Sequence, residues 1–108
     1  MKRILVAALL AMAAHTATAA DPAEFTIVIR EHRFEPAELK VPANTKIKLI
    51  IKNEDDSAEE FESHELNREK IVAPKSAITV WVGPLEPGEY PFFGEFHMDT
   101  ALGKLIAE

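Results

Sequence analysis

An all-β sandwich is the fold class predicted for residues 21–108, from β-branched runs with period-two alternation, prolines spaced like corners, and the near absence of helical periodicity. Residues 25–30 (FTIVIR) form the first run. In residues 46–52 (KIKLIIK), Ile47, Leu49 and Ile51 share one face, and Lys46, Lys48 and Lys52 the other. That alternation describes a half-buried strand. Residues 78–82 (ITVWV) form a third run and residues 103–107 (GKLIA) the last. Pro36, Pro42, Pro74, Pro84 and the Pro87-Gly88 pair punctuate the runs. Asn44, in VPANTK, suits a tight turn with positive φ, a conformation Asn tolerates well. Residues 65–70 (ELNREK) are the one stretch that reads as a single helical turn. Trp81 and Phe92 are expected in the core, and Phe93 and Phe96 in the core or on the apolar rim of a site.

Residues 1–20 carry the pattern of a secretory signal peptide. Lys2 and Arg3 precede an apolar run from Ile4 to Ala14, and Ala17-Thr18-Ala19 supplies an A-x-A cleavage site. The apolar run is too short to span a bilayer, so no direct membrane insertion is expected after cleavage. His15 leaves with this segment. Removal of Lys2 and Arg3 takes the formal charge from −6 to −8, since every acidic residue lies beyond the leader. So acidic a domain argues against nucleic acid as a partner. The absence of cysteine excludes disulfides, thiolate nucleophiles, iron–sulfur clusters and zinc–thiolate sites. No catalytic Ser-His-Asp context, phosphate-cradling glycine loop or zinc-protease motif is present, which speaks against a hydrolase or transferase.

The stretch F-x-P-x-x-L-x-V-P-x-x-T (34–45), followed by a strand ending at Asn53, resembles the first half of a cupredoxin. P-G-E-Y-x-F (87–92), then GEFH and GKLIA, resembles the second half. The resemblance implies a Greek-key sandwich of seven to eight strands with a metal site at one end. It also implies where blue-copper ligands would fall. The first histidine, six residues after the strand-ending asparagine, is replaced by Glu59. The C-x-x-H and its following methionine become Gly94, His97 and Leu102. One ligand of four remains, so a type-1 copper site, which requires thiolate, cannot form. NEDDSAEEFES together with GEFHMDTA resembles the cupredoxin-like periplasmic components of bacterial ferrous-iron uptake systems. That likeness implies a periplasmic location, bound copper or iron, and periplasmic or inner-membrane iron-transport components as partners. It implies at most an accessory ferroxidase-type activity.

His97 is the first metal-ligand candidate, the alternative being a structural tie within its loop. Glu59, Glu60 and Glu62 are the facing carboxylates, unless the run is simply a solvated surface. Strand alternation puts Glu60 and Glu62 on one face and Glu59 with Phe61 on the other. Glu95 offers a further oxygen and Met98 a thioether or plain packing; His64 is a second imidazole or an exposed loop residue. Asp99 could fix the His97 tautomer, whereas His32 has no assignable acidic partner and is expected to be structural. Oxygen-rich sites with imidazole favour Fe(II), Fe(III), Mn(II) or tetragonal Cu(II) over Cu(I). Three functions follow: an iron-uptake component, a periplasmic copper chaperone or buffer, and a metal-free interaction module. The single methionine near the candidate loop, Met98, counts against the second.

Overall fold

The computed structural model describes residues 22–108, so the expected leader lies outside the described residues. Nine strands follow in order: β1 (Ala23–Arg30), β2 (Arg33–Glu35), β3 (Glu38–Val41), β4 (Ile47–Asn53), β5 (Glu59–Ser63), β6 (Arg68–Val72), β7 (Ala77–Val82), β8 (Gly88–Phe93) and β9 (Leu102–Ala107). A single 3₁₀ turn, Glu95–His97, sits between β8 and β9. One sheet runs β2-β1-β4-β7 and the other β3-β9-β8-β5-β6. β1 pairs parallel with β4, and β3 with β9, which gives the sandwich its crossed connections.

The ninth strand exceeds the expected seven to eight, and Pro36 is the reason. It interrupts residues 33–41, so the chain pairs with β1 as β2 and then crosses to β9 as β3. The predicted strands agree to within a residue or two at their ends, with β4 starting at Ile47 rather than Lys46. Asn44 has φ 55°, as its turn requires.

Two expectations are corrected. Residues 64–67 form the β5–β6 turn rather than a helical turn. Asn67 at φ 53° reverses the chain, and the Leu66 N–H donates to Ser63 Oγ at 3.1 Å while its side chain is buried. Trp81 is 41% exposed rather than core. Val80 and Val82 take the inward positions of β7, which leaves Trp81 on the outer face opposite Lys48. There Lys46 Nζ lies 4.8 Å from its ring centroid, a cation–π contact.

The core fills the space between the sheets with Ile27, Ile29, Ile47, Leu49, Ile51, Val80 and Leu105 around three phenylalanines. Phe34 meets Phe92 edge-on at 4.9 Å, and Phe61 lies 5.0 Å from Phe92. Leading into one end of this core are the β1–β2 turn, the end of β4, the start of β5 and the 3₁₀ turn after β8. The candidate site is built there.

Candidate metal centre

Glu59 opens β5 on the inward face with Phe61, and its side chain is 1% exposed. A buried carboxylate demands partners. It has two histidines: His32 Nδ1 lies 2.6 Å from Oε1 and His97 Nδ1 lies 3.0 Å from Oε2. Ser57 Oγ donates to Oε1 at 3.2 Å. The two imidazoles stack, centroids 3.5 Å apart and planes 15° from parallel. Donor atoms of His32, Glu59 and His97 lie within 4.8 Å of one another. Because a carboxylate oxygen accepts, the Nδ1–H tautomer of each ring is the one that satisfies both contacts.

His32 therefore stands in the cluster, and the expectation that it has no acidic partner is corrected. Its acidic partner is Glu59, reached across the β1–β2 turn from 27 positions along the chain. The hydrogen bond to Glu59 raises the His32 pKa, with Asp55 and Asp99 adding attraction against a desolvation penalty. Asp99 is exposed, and the tautomer of His97 is set by Glu59 instead.

Glu60 and Glu62 point to the opposite face of β5, so the acidic run divides between two places. On the outer face Glu60, Glu62 and Glu95 converge with Glu69, with an oxygen of each within 4.8 Å of the others. Glu69 was not singled out from sequence; it arrives because β6 pairs Glu69 with Glu62. The Glu95 N–H donates to Glu60 Oε1 at 3.0 Å, and Glu60 is 3% exposed. Glu62 Oε1 is buried without a hydrogen-bond partner among the described residues. Burial, assisted by repulsion from Glu62 and Glu95, pushes Glu60 up to about 7, against the pull of the Glu95 N–H.

The remaining candidates lie at the margins. His64 Nε2 is 3.8 Å from Glu62 Oε2 with its side chain 78% exposed, outside both clusters. Met98 is 53% exposed beside His97 and lies outside both clusters. Phe96 and Leu102 are exposed around the same loop, and Phe92 is core. Gly94 closes on the interior: a Cβ there would stand 2.9 Å from Glu60 O and 3.0 Å from Ala101 Cβ. His97, three residues later, is what reaches Glu59.

The pH dependence of the metal-free protein follows from these shifts. Both Glu60 and His32 have folded pKa values above their ordinary ones. Each contributes stability that is present below the ordinary pKa and lost as pH rises through the folded pKa. The unfolding midpoint is expected to fall as pH rises from about 5 through about 7. In Glu60→Gln the fall should shrink. A parent midpoint that rises over this interval would refute both assignments.

Residues 2–107 match the cupredoxin-like domain family. An uncharacterized protein of Rickettsia prowazekii (strain Madrid E) is 54% identical over 83 residues, covering 77% of this chain and 66% of the relative's length. Among solved structures, auracyanin A, a blue copper protein of Chloroflexus aurantiacus, superimposes with a TM-score of 0.70 at 14% identity, covering 81% of this chain and 99% of that one. Amicyanin of Paracoccus versutus gives 0.62 at 18%, covering 82% and 83%. The metal-binding domain of the Cu(I)-exporting ATPase CopA of Streptococcus pneumoniae gives 0.64 at 13%, covering 79% and 84%. At these identities the structural likeness establishes the fold.

Proposed function

The chain belongs to the cupredoxin-like domain family, and from that premise we propose that it is a periplasmic metal-binding protein of iron uptake. Copper would be held by His32, Glu59 and His97, and ferrous iron, as cargo, would be captured on Glu60, Glu62, Glu69 and Glu95. The carrying observation is the Glu59 carboxylate, 1% exposed, with each oxygen on a different imidazole. In the metal-free protein, the Nδ1 protons tie together the three side chains that would hold a cation. The donor set, two nitrogens and a carboxylate without sulfur, fits Cu(II) and does not fit type-1 copper. When bound, copper would supply one-electron redox chemistry, the basis of an accessory ferroxidase activity.

The outer cluster offers oxygen alone, which suits hard cations such as Fe(II), Fe(III) and Mn(II). Its buried, unpartnered Glu62 oxygen and its raised Glu60 pKa are the marks of carboxylates crowded closer than their charge favours, which a cation would relieve. The iron-uptake role and partners in a periplasmic or inner-membrane transport system rest on the sequence resemblance together with this oxygen site.

Calorimetric titration of the metal-free protein with Cu(II), and anaerobically with Fe(II) and Mn(II), tests the reading. Cu(II) heat should be stoichiometric, vanish in His97→Ala, persist only as weaker but measurable binding in His32→Ala, and survive Glu62→Gln. Fe(II) and Mn(II) should respond in the opposite way. Copper binding with no iron response would favour a copper buffer. No heat from any of the metals would leave an interaction module and sink the proposal.

A further inference from the structure

Glu31 and His32 both occupy left-handed backbone, with φ of 52° and 58°. They form the two-residue link between β1 and β2, a position where Asn-Gly or Gly-Gly pairs are at ease and Glu-His is not. Such a conformation persists only where the surroundings over-determine it. Here the surroundings are one carboxylate and one hydroxyl. Asp55 Oδ1 accepts the Glu31 N–H at 2.8 Å, and Oδ2 accepts the His32 N–H at 3.0 Å. Thr100 Oγ1 donates to the His32 carbonyl at 2.7 Å.

Asp55 is anchored in turn. Its own N–H donates to Asn53 Oδ1 at 2.9 Å, and its carbonyl accepts the Lys75 N–H at 3.1 Å. Asn53 is buried, and its amide nitrogen donates to the carbonyls of Ser57, Val72 and Ala73. The Asp55 carboxylate also stands 3.5 Å from His32 Nδ1, but Glu59 at 2.6 Å holds that proton. Burial works to raise the Asp55 pKa, and the His32 and Glu31 N–H groups outweigh it, keeping the side chain an anion.

We propose that Asp55 is a positioning residue for the imidazole cluster. It acts on the His32 backbone, holding the left-handed turn from which the ring reaches Glu59 and stacks on His97. Its consequence for copper rests on the metal-binding reading above, whereas its hold on the ring does not. A simple turn tie would affect stability alone; a positioning residue also moves the ring.

The test compares Asp55→Ala and Asp55→Asn with the parent by NMR of the His32 and His97 ring protons in metal-free protein, and by Cu(II) titration with and without His32→Ala. In Asp55→Ala the His32 ring resonances should shift to those of an unstacked imidazole, and Cu(II) affinity should fall about 10- to 100-fold. Asp55→Asn keeps one acceptor oxygen and should recover part of both, and it carries the test if the alanine variant does not fold. In the His32→Ala background, Asp55→Ala should weaken Cu(II) no further. Parent-like ring shifts, or an equal loss of affinity with and without His32, would overturn the assignment. If the parent binds no Cu(II), the functional proposal falls and the ring resonances still decide the role of Asp55.

Discussion

Glu59→Gln is expected to remove tight Cu(II) binding, an affinity loss of about 100-fold or more. The substitution preserves shape and changes two things. It removes the negative charge that a cation bridging the cluster would neutralise. It also replaces one acceptor oxygen with an NH₂ donor facing an imidazole N–H, since Oε1 and Oε2 each face a histidine Nδ1, at 2.6 and 3.0 Å. Donor against donor forces one ring to change tautomer or turn away. The His32 pKa, held up chiefly by that hydrogen bond, should drop towards its ordinary value. Glu59→Ala adds unsatisfied ring donors and a void, worth about 1–3 kcal/mol of stability for each donor that water cannot reach. Titration and thermal melts of the two variants separate ligation from support. Parent-like affinity in Glu59→Gln would make the carboxylate a structural tie.

Gly94→Cys is the second substitution with a large expected effect, and it should restore nothing. The added Cβ would lie 2.9 Å from Glu60 O, 3.0 Å from Ala101 Cβ and 3.7 Å from Phe34 Cζ. The first of these is backbone and cannot swing aside. Gly94 is pinned on both sides as well, its N–H donating to Ala101 O at 2.9 Å and its carbonyl accepting the His97 N–H at 3.1 Å. Overpacking of this kind costs about 1–3 kcal/mol. For a domain of this size that is a drop of roughly 4–8 °C in Tm per kcal/mol. The crowded backbone leaves a thiol no unstrained place from which to join the imidazoles, so Cu(II) should produce no intense visible band. Gly94→Ala should lose similar stability. An intense blue colour in Gly94→Cys would mean that the whole loop can shift its register.

Most of the fold was legible because alternation is local: KIKLIIK declares its buried face without reference to any other strand. Alternation likewise separated Glu59 and Phe61 from Glu60 and Glu62, and the structure places them on opposite faces of β5. Partnerships across strands were not legible. His32 lay beyond reach because it sits on the β1–β2 turn, which meets Glu59 at the start of β5 only once β1 pairs with β4, Ile29 beside Asn53. The cue was present, since FTIVIR stops at Arg30 and a strand restarts at Arg33, forcing a tight turn. Glu69 was hidden by reading ELNREK as helical, which concealed the hairpin that aligns it with Glu62. Trp81 misled because aromatic residues in strands favour burial, while its position beside inward Val80 and Val82 assigned it outward.

Glu59 and Glu60 are consecutive residues serving opposite faces of one strand. Sliding β5 by a single residue against β6 and β8 would send Glu60 in to the imidazoles and turn Glu59, Phe61 and Ser63 out to solvent. The length of the 54–58 segment is thus as much a determinant of both centres as the side chains themselves. Substitutions edit one centre at a time, whereas a one-residue deletion would exchange the inventories of the two. Asn53 acts as the gauge of that length, its buried amide spanning from Ser57 O at 2.8 Å to Val72 O and Ala73 O at 3.2 Å, measuring the segment against the end of β6.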